Sequence, residues 1–353
     1  MTRRLTLLLP GDPDTPTGGY LYDRRIVAEL RARGWQMPVR RLDASFPWPT
    51  PAALTDADAA LAALPDGELV LIDGLAFGAM PQQAAAHAAR LRLVALVHHP
   101  LAAETGLDPP QSRRLRETER AALATARAVV VTSAETAEAL RRDYAVPDAI
   151  LCVVEPGAPD PAPPRGARRA GPLRLLCVAS LVPRKGHDLL LQALAARGGD
   201  DWTLDCVGSP TRDPACAQRL RDLARSLGLE ARVRWQGESP PELLQAAYAD
   251  ADLFVLPAWY EGYGMAVAEA LSHGLPVVAT AVGAVPRLVG TEAGLLVPAG
   301  DGAALAATLR RVLDDAALRS RLAAGAVRRA SALPRWPDAG ARLSALLDGL
   351  SSA

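Results

Sequence analysis

The sequence predicts an α/β fold in which two Rossmann-like domains, each a parallel sheet covered by helices, face a deep cleft between them. Three observations lead to this prediction. With 353 residues, the chain is longer than one ordinary domain requires. Short apolar runs alternate with longer helical stretches in both halves, which is typical of parallel strands buried on both faces. Residues 156–172 interrupt this alternation with Pro, Gly, Ala and Arg, a composition that predicts an interdomain linker.

The alternation can be followed element by element. In the first half, apolar runs predict strands at 5–9, 68–73, 91–98, 128–132 and 150–154, and the segments between them predict helices at 20–33, 81–90 and 111–126. In the second half, the same criteria predict strands at 173–179, 203–207, 233–236, 253–257 and 276–280. Helices are predicted there at 185–197, 215–227, 241–249, 264–273, 302–314, 316–331 and 338–347, with a break at Pro334 and Pro337. We therefore expect an N-terminal domain at 1–165 and a C-terminal domain at 166–337.

Composition excludes several classes of protein. The formal net charge is zero, with 39 basic and 39 acidic residues, so nothing predicts the basic surface that a nucleic-acid partner requires. No apolar run approaches the length of a transmembrane segment, and 5–9 is too short for a signal-peptide core. The four cysteines form no C-x-x-C pair, which suits a reducing compartment. We expect a cytoplasmic protein.

Ligands of open parallel sheets bind where strands end and loops lead into helices. In the first half, Gly18 and Gly19 precede a helix, where backbone amides can approach an anionic ligand closely. A plain tight turn explains this pair equally well. His98, at the end of a predicted strand, can donate a hydrogen bond to a sugar hydroxyl or a phosphate, and its neighbour His99 is more easily explained as a loop residue.

The second half carries a cationic pair in an equivalent position. Arg184 and Lys185 follow the first strand of that half and open a predicted helix. Lys185 is the only lysine in the chain, which suggests a place for a compact point charge rather than the planar fork of arginine. Two cations beside helix amides predict a phosphate site that needs no metal. A solvated surface pair is the alternative.

A glycine-rich loop with two carboxylates is the strongest signal. Glu261 lies in the loop and Glu269 about one turn into the next predicted helix. Carboxylates accept hydrogen bonds from vicinal diols, so this spacing suits a ribose and a hexose. The alternative is that a glutamate near a helix start interacts only with the helix dipole.

This segment resembles a known family. Glu261 and Glu269, followed by PVVAT at 276–280, Gly283 and GLLVP at 294–298, resemble the retaining GT-B glycosyltransferases of family 4. The resemblance covers nearly the whole chain and is most specific in the second half. It implies a GT-B fold whose C-terminal helix, 338–353, returns to the N-terminal domain.

The resemblance also implies roles. Glu269 would hold the ribose of a nucleotide-sugar, Glu261 its hexose and Lys185 its diphosphate, while Gly18 and Gly19 would lie over the phosphates from the opposite domain. We expect catalytic roles for His98, Arg184, Lys185 and Glu261, and donor contacts from Gly18, Gly19, Gly208, Glu261, Gly262, Tyr263, Gly264, Met265 and Glu269. No metal or cofactor is expected, and a UDP- or GDP-sugar is the expected donor.

The expected function is retaining transfer of a hexose-type sugar to an acceptor, which is a small molecule, a glycan or a lipid-linked compound. One departure concerns Ser180, which stands where the family usually has an arginine, so Arg184 would have to supply that charge. The departure favours one alternative, a non-catalytic subunit that binds a nucleotide-sugar and supports another glycosyltransferase. An epimerase, a phosphorylase or a dinucleotide oxidoreductase fits less well, because there is no second lysine and no complete glycine fingerprint.

Overall fold

The computed structural model describes residues 3–162 and 171–352. The chain divides into two compact units. The first runs to Gly157 and includes the C-terminal segment from Pro334, and the second is Ala158–Leu333. The divisions fall after Gly157 and Leu333, whereas the sequence analysis placed them at 165 and 337. Residues 163–170 of the expected linker lie outside the described residues.

The first unit contains a six-stranded parallel sheet of order β2-β1-β3-β4-β5-β6. Its strands are β1 (Leu5–Pro10), β2 (Val39–Leu42), β3 (Leu69–Asp73), β4 (Arg92–Val97), β5 (Ala128–Val131) and β6 (Leu151–Val153). Its helices are α1 (Gly18–Ala32), α2 (Pro51–Ala62), α3 (Gly74–Phe77), α4 (Pro81–His87), α5 (Pro109–Leu123), α6 (Ala134–Tyr144) and, from the C-terminus, α14 (Trp336–Ser352).

The second unit repeats this architecture with the order β9-β8-β7-β10-β11-β12, again parallel throughout. Its strands are β7 (Leu173–Val178), β8 (Trp202–Val207), β9 (Val233–Gly237), β10 (Leu253–Leu256), β11 (Val277–Thr280) and β12 (Gly294–Val297). Its helices are α7 (His187–Arg197), α8 (Pro214–Ser226), α9 (Pro241–Asp250), α10 (Met265–Ser272), α11 (Val285–Val289), α12 (Gly302–Asp314) and α13 (Ala316–Ala332).

Both sheets are doubly wound, which confirms the predicted fold class of two Rossmann-like α/β units. In such a sheet the chain moves outward from a central strand in both directions, so two central neighbours are joined by a crossover rather than a direct connection. These neighbours are β1 and β3 in the first unit and β7 and β10 in the second. The loops that follow such strands leave the sheet side by side, and they form the usual ligand site of the fold.

The core explains why these segments form strands and helices. β1, β3, β5, β10 and β11 are buried at every residue, as their continuous apolar runs predicted. Helices bury one face only: in α1 the buried side chains include Tyr22, Ile26 and Leu30, spaced by four residues. The side-chain oxygen of Thr17 caps α1 by accepting a hydrogen bond from the Tyr20 amide, at 3.3 Å.

Some elements were not predicted from the sequence, and some boundaries differ. The unpredicted strands are β2 and β12, and the unpredicted helices are α2, α3, α6 and α11. β2 is partly exposed and reads RR at its centre, so it has no apolar run to recognise. The helix predicted to begin at 338 begins at Trp336, with Pro337 in its first turn, where a missing N–H breaks no hydrogen bond. This helix, α14, packs on α1, and the Trp35 indole N–H donates to Ser344 Oγ at 2.9 Å.

Candidate active site

The loop after β7 carries the two predicted cations. It passes through a short 3₁₀ turn, Pro183–Lys185, and α7 begins only at His187. The prediction that Lys185 opens the helix was therefore wrong by two residues, because Gly186 takes a left-handed conformation (φ 68°) and ends the turn first. The turn places Arg184 and Lys185 beside the loop that follows β10, the neighbouring central strand.

Both cations converge on one carboxylate of that neighbouring loop. Lys185 Nζ donates a hydrogen bond to Glu261 Oε1. Arg184 Nη1 lies 4.0 Å from the same oxygen and donates to the Tyr260 carbonyl at 2.8 Å. The Trp259 amide in turn donates to the Arg184 carbonyl at 2.8 Å. The three charged side chains are 14 % (Arg184), 17 % (Lys185) and 9 % (Glu261) exposed, so water reaches them only partly.

Burial sets the electrostatics of this group. It lowers the pKa of Lys185, while the charge of Glu261 acts in the opposite direction. Burial, together with the Lys185 charge, also lowers the pKa of the neighbouring His187 to about 4. His187 is therefore neutral near pH 7, and the positive charge of this loop comes from Arg184 and Lys185.

Two glycines allow the loops to approach each other. Gly283 has φ 49°, and a Cβ there would overlap the carbonyl oxygen of Glu261. Gly208, which follows β8, would place a Cβ on the carbonyl oxygen of Ala179, directly after β7. Both positions need a residue without a side chain. Gly208 thus has a structural reason to be glycine that is separate from its predicted role in donor binding.

The predicted Gly-rich loop leads into α10. Gly264 takes φ 95° immediately before the first helical residue, Met265. Tyr263 is buried, and Gly262 is partly exposed. The first amides of a helix have no partner within the helix, so this terminus can donate to an anion. The five residues from Glu261 to Met265 form one continuous segment beside Lys185.

Glu269 lies on the second turn of α10 and has a partner that sequence analysis missed. The Tyr248 hydroxyl donates to Glu269 Oε2 at 2.8 Å. Tyr248 is fully buried on α9, and its ring stacks on His273 with centroids 5.2 Å apart. This contact fixes the orientation of the carboxylate. A tyrosine on the buried face of a helix needs a hydrogen-bond partner, and that requirement was the signal available in the sequence.

In the first unit the predicted residues also meet. His98 directly follows β4 rather than ending it. Gly18 and Gly19 are the first two residues of α1 rather than preceding it, so this helix begins two residues earlier than predicted. A Cβ at Gly19 would lie 3.3 Å from His98 Cδ2, a tight contact that a larger residue could make only if the imidazole shifted slightly. The Tyr22 ring meets His98 edge-on, with centroids 5.4 Å apart.

Two buried carboxylates that sequence analysis missed surround His98. Its Nε2 lies 3.2 Å from Asp23 Oδ1 and 3.4 Å from Asp73 Oδ2. Burial alone would lower the pKa of His98, but the charge and hydrogen bond of Asp23, and then those of Asp73, raise it to about 10. Asp73 ends β3, and this strand-end position was its only sequence signal. Asp23 gave none, because acidic residues are common on helices.

The same three side chains have the spacing of metal ligands. Among the described residues, Asp23, Asp73 and His98 are the group of potential ligands whose atoms all lie within 4.8 Å of one another. Here Nε2 of the imidazole is hydrogen-bonded to Asp23 Oδ1 at 3.2 Å and lies 3.4 Å from Asp73 Oδ2.

In the described part of the chain, no helix is both long and apolar enough to cross a membrane.

Comparisons with known families match both units. The family described as "Glycosyl transferases group 1" matches residues 162–329, and "Glycosyltransferase Family 4" matches residues 5–160. Among curated proteins, the chain is 35 % identical over 265 residues to D-inositol 3-phosphate glycosyltransferase from Corynebacterium efficiens, covering 70 % of this chain and 62 % of that protein. It is 39 % identical over 202 residues to the protein of that name from Frankia alni, covering 54 % and 49 %. These matches span about half to six-tenths of the relatives' length.

Solved structures show the same fold. Sucrose-phosphate synthase from Thermosynechococcus elongatus superposes with a TM-score of 0.83 at 23 % identity, covering 99 % of both chains. HepE from Anabaena, in complex with UDP-glucose, gives 0.74 at 18 % identity, covering 98 % of this chain and 99 % of that one. At these identities the likeness concerns the GT-B fold alone. With both family matches and the two doubly wound units in place, the chain belongs to the group 1 glycosyltransferases of family 4.

Proposed function

We propose that the protein transfers a hexose-type sugar from a nucleotide-diphosphate sugar to a hydroxyl acceptor, with retention of anomeric configuration and without a metal. The observation that carries this proposal is the convergence of Arg184 and Lys185 on Glu261 at the central strand pair of the second unit. This arrangement puts two cations and one carboxylate at the usual ligand site of a doubly wound sheet.

Each group has a task in this reaction. The diphosphate of the donor binds to Arg184 and Lys185, which are already partly shielded from water and therefore interact strongly with an anion. Glu261 accepts hydrogen bonds from the hexose hydroxyls, and Glu269 from the ribose diol. The Tyr248 hydroxyl donates to Glu269 Oε2 and so orients this carboxylate for the ribose.

The chemical step needs no protein nucleophile. The bond from the anomeric carbon to the phosphate oxygen breaks, and the sugar becomes oxocarbenium-like. The acceptor oxygen attacks from the same face, and its proton passes to an oxygen of the departing phosphate. Arg184, Lys185 and the α10 amides stabilise the diphosphate as its charge grows, and loss of one such group costs on the order of 10²–10³ in rate.

The names of the relatives suggest which donors and acceptors to test first. HepE was solved in complex with UDP and UDP-glucose, so UDP-sugars are the first donors to test, with GDP-sugars next. The curated relatives are named for D-inositol 3-phosphate, which makes a cyclitol phosphate the first acceptor to test. In the first unit, His98 is proposed to donate a hydrogen bond to a hydroxyl or phosphate oxygen.

The alternative is a non-catalytic subunit that binds a nucleotide-sugar and supports another glycosyltransferase. The observation that favours it is Ser180, a residue without charge where the family usually has arginine. Against it, Arg184 lies 4.0 Å from the carboxylate that Lys185 contacts, so a second cation is present in the same loop.

A thermal-shift titration with UDP-, GDP- and ADP-sugars in the presence of a chelator tests the proposal. We expect one donor to raise the melting temperature of the wild type, and expect Lys185→Ala and Glu269→Ala to lose that shift. The matched control is Glu242→Ala, which removes an exposed carboxylate from α9 of the same unit and should keep the full shift.

The donor that binds is then used in a transfer assay with cyclitol phosphates. Product formation by the isolated wild-type chain excludes the non-catalytic alternative, and the anomeric coupling of the product decides between retention and inversion. Near-full transfer by Lys185→Ala would refute the assignment of Lys185, and dependence on a divalent ion would refute the metal-free mechanism. Donor binding without any transfer would favour the non-catalytic subunit.

A further inference from the structure

His98 is held by two carboxylates in a way that fixes its charge. Asp23 is 1 % exposed and Asp73 is 2 % exposed, and both lie within 3.4 Å of the same ring nitrogen, Nε2. A neutral imidazole can offer one N–H to one of them, but its ring gains nothing from the second negative charge. An imidazolium is stabilised by both charges.

Among the described residues, Arg24 is a second cation whose charge acts on Asp23. The ionisable groups around the ring are Tyr22, Asp23 and Arg24 on α1 and Asp73 at the end of β3. Tyr22 is neutral, because burial and then the charge of Asp23 raise its pKa, and its hydroxyl donates to the Val154 carbonyl at 2.9 Å. Arg24 donates to the carbonyl of Thr15, at 3.4 Å, so its guanidinium is directed at the loop before α1.

The two carboxylates also differ in the hydrogen bonds that they accept. Asp73 Oδ1 accepts a hydrogen bond from the Leu75 amide at 2.8 Å, so α3 orients this carboxylate. Asp23 Oδ2, by contrast, is buried without a hydrogen-bond partner among the described residues. A buried carboxylate oxygen in that position is costly unless a neighbouring positive charge compensates for it. In the described part of the chain, His98 is placed to carry this charge, with Nε2 3.2 Å from Oδ1 of the same carboxylate.

We propose that Asp23 and Asp73 are positioning residues that hold His98 as a permanent imidazolium cation, so that His98 serves an oxygen ligand as a charged hydrogen-bond donor and not as a base. A general base must lose its proton near the working pH. A cation locked between two carboxylates cannot do so, whereas its Nδ1–H can donate to a hydroxyl or phosphate oxygen. Only the kinetic consequence of this inference rests on the proposed function.

The direct test is NMR of protein labelled with ¹⁵N in its five histidines. Loss of a signal in His98→Gln assigns His98. In the wild type, we expect both ring nitrogens of His98 to keep imidazolium shifts from about pH 6 to about pH 9. In Asp23→Asn and Asp73→Asn, we expect the ring to lose its proton at a pH lower by about 1–3 units. Asparagine at 73 can still cap α3 through its side-chain oxygen.

The matched control is Glu104→Gln, which removes the carboxylate 3.8 Å from the neighbouring histidine, His99. It should leave the His98 shifts unchanged. The wild-type titration decides the question even if an aspartate variant fails to fold. A neutral His98 ring at pH 7, or unchanged titration in folded variants, would overturn the inference. So would movement of the ring nitrogens to metal-bound shifts when Zn²⁺ is added to chelator-treated wild type.

The kinetic test separates this inference from the proposed function. In the transfer assay, the titration of His98 should add no pH dependence to the wild-type rate between about pH 6 and pH 9. The rate of Asp73→Asn should fall as pH rises through its lowered titration, because the cation is lost. If the wild type shows imidazolium shifts but no transfer, the proposed function fails and the inference about His98 stands. If Asp73→Asn transfers with the wild-type pH profile although its ring titrates earlier, the donor role is refuted.

Discussion

Replacing Glu261 by glutamine tests the electrostatics of the proposed donor site. The change keeps the shape of the side chain and removes the charge to which Lys185 donates. Lys185 then remains near Arg184 in a partly buried position, 17 % exposed, without its counter-charge. A hydrogen bond to a charged group contributes about 1.5–3 kcal/mol. We expect the second unit to lose about this much stability at neutral pH. The upper limit of this loss of stability is the cost of breaking a fully buried ion pair, about 3–5 kcal/mol.

The loss of stability in Glu261→Gln should depend on pH, and the titration of Lys185 determines the direction of this dependence. Burial lowers the pKa of Lys185 and Glu261 opposes this, so the pKa falls further in Glu261→Gln. Below the ordinary lysine value of 10.5, the folded variant then binds fewer protons than the unfolded chain. Its stability therefore rises with pH in that window. The difference from wild type should be largest near neutral pH and should shrink as pH rises and Lys185 loses its proton.

The single lysine provides the assay. Incorporated ¹³Cε-lysine gives one side-chain signal, which reports the titration of Lys185 and the unfolding of its unit in urea. Glu242→Gln, an exposed change on α9, is the control and should stay within about 0.5 kcal/mol of wild type. An unaltered Lys185 titration in Glu261→Gln, or a stability loss that does not vary with pH, would refute this account of the site.

Two further predictions concern packing and a buried acid. Gly283→Ala should lower the urea midpoint of the second unit by more than Gly228→Ala does. Both glycines have positive φ, but only a Cβ at 283 would meet the Glu261 carbonyl, whereas Gly228 faces open space. Equal losses would contradict the close approach. Glu119 accepts a hydrogen bond from the Leu101 amide at 2.9 Å, and burial raises its pKa from the ordinary value of 4.5 to about 8. The folded state therefore binds the extra proton between these values and loses stability as pH rises through them. The free energy of unfolding of Glu119→Gln should equal that of wild type near about pH 5 and exceed it near about pH 8. A difference that stays constant with pH would count against a neutral Glu119.

The sequence by itself determined the kind of fold and most of its elements. Strands such as β10 and β11 could be recognised because burial on both faces requires a continuous apolar run, and this requirement is local. The cationic pair and the glutamate loop could be recognised for a similar reason, since charged residues and glycines at strand ends have few structural explanations. The lone Lys185 added information only because every other basic side chain is arginine or histidine.

The tertiary structure decided which of these residues meet. Lys185 and Glu261 are 76 residues apart, and they come together because β7 and β10 are neighbours in the sheet. His98 meets Asp23, 75 residues away, only through the packing of α1 against the strand ends. Apolar periodicity records whether a segment is buried, but strand order and helix placement depend on the packing of the whole unit. For that reason His98 and Glu269 could be named from the sequence, but their partners could not. Asp23 and Asp73, which set the charge of His98, and Tyr248, which orients Glu269, became visible only in the folded chain.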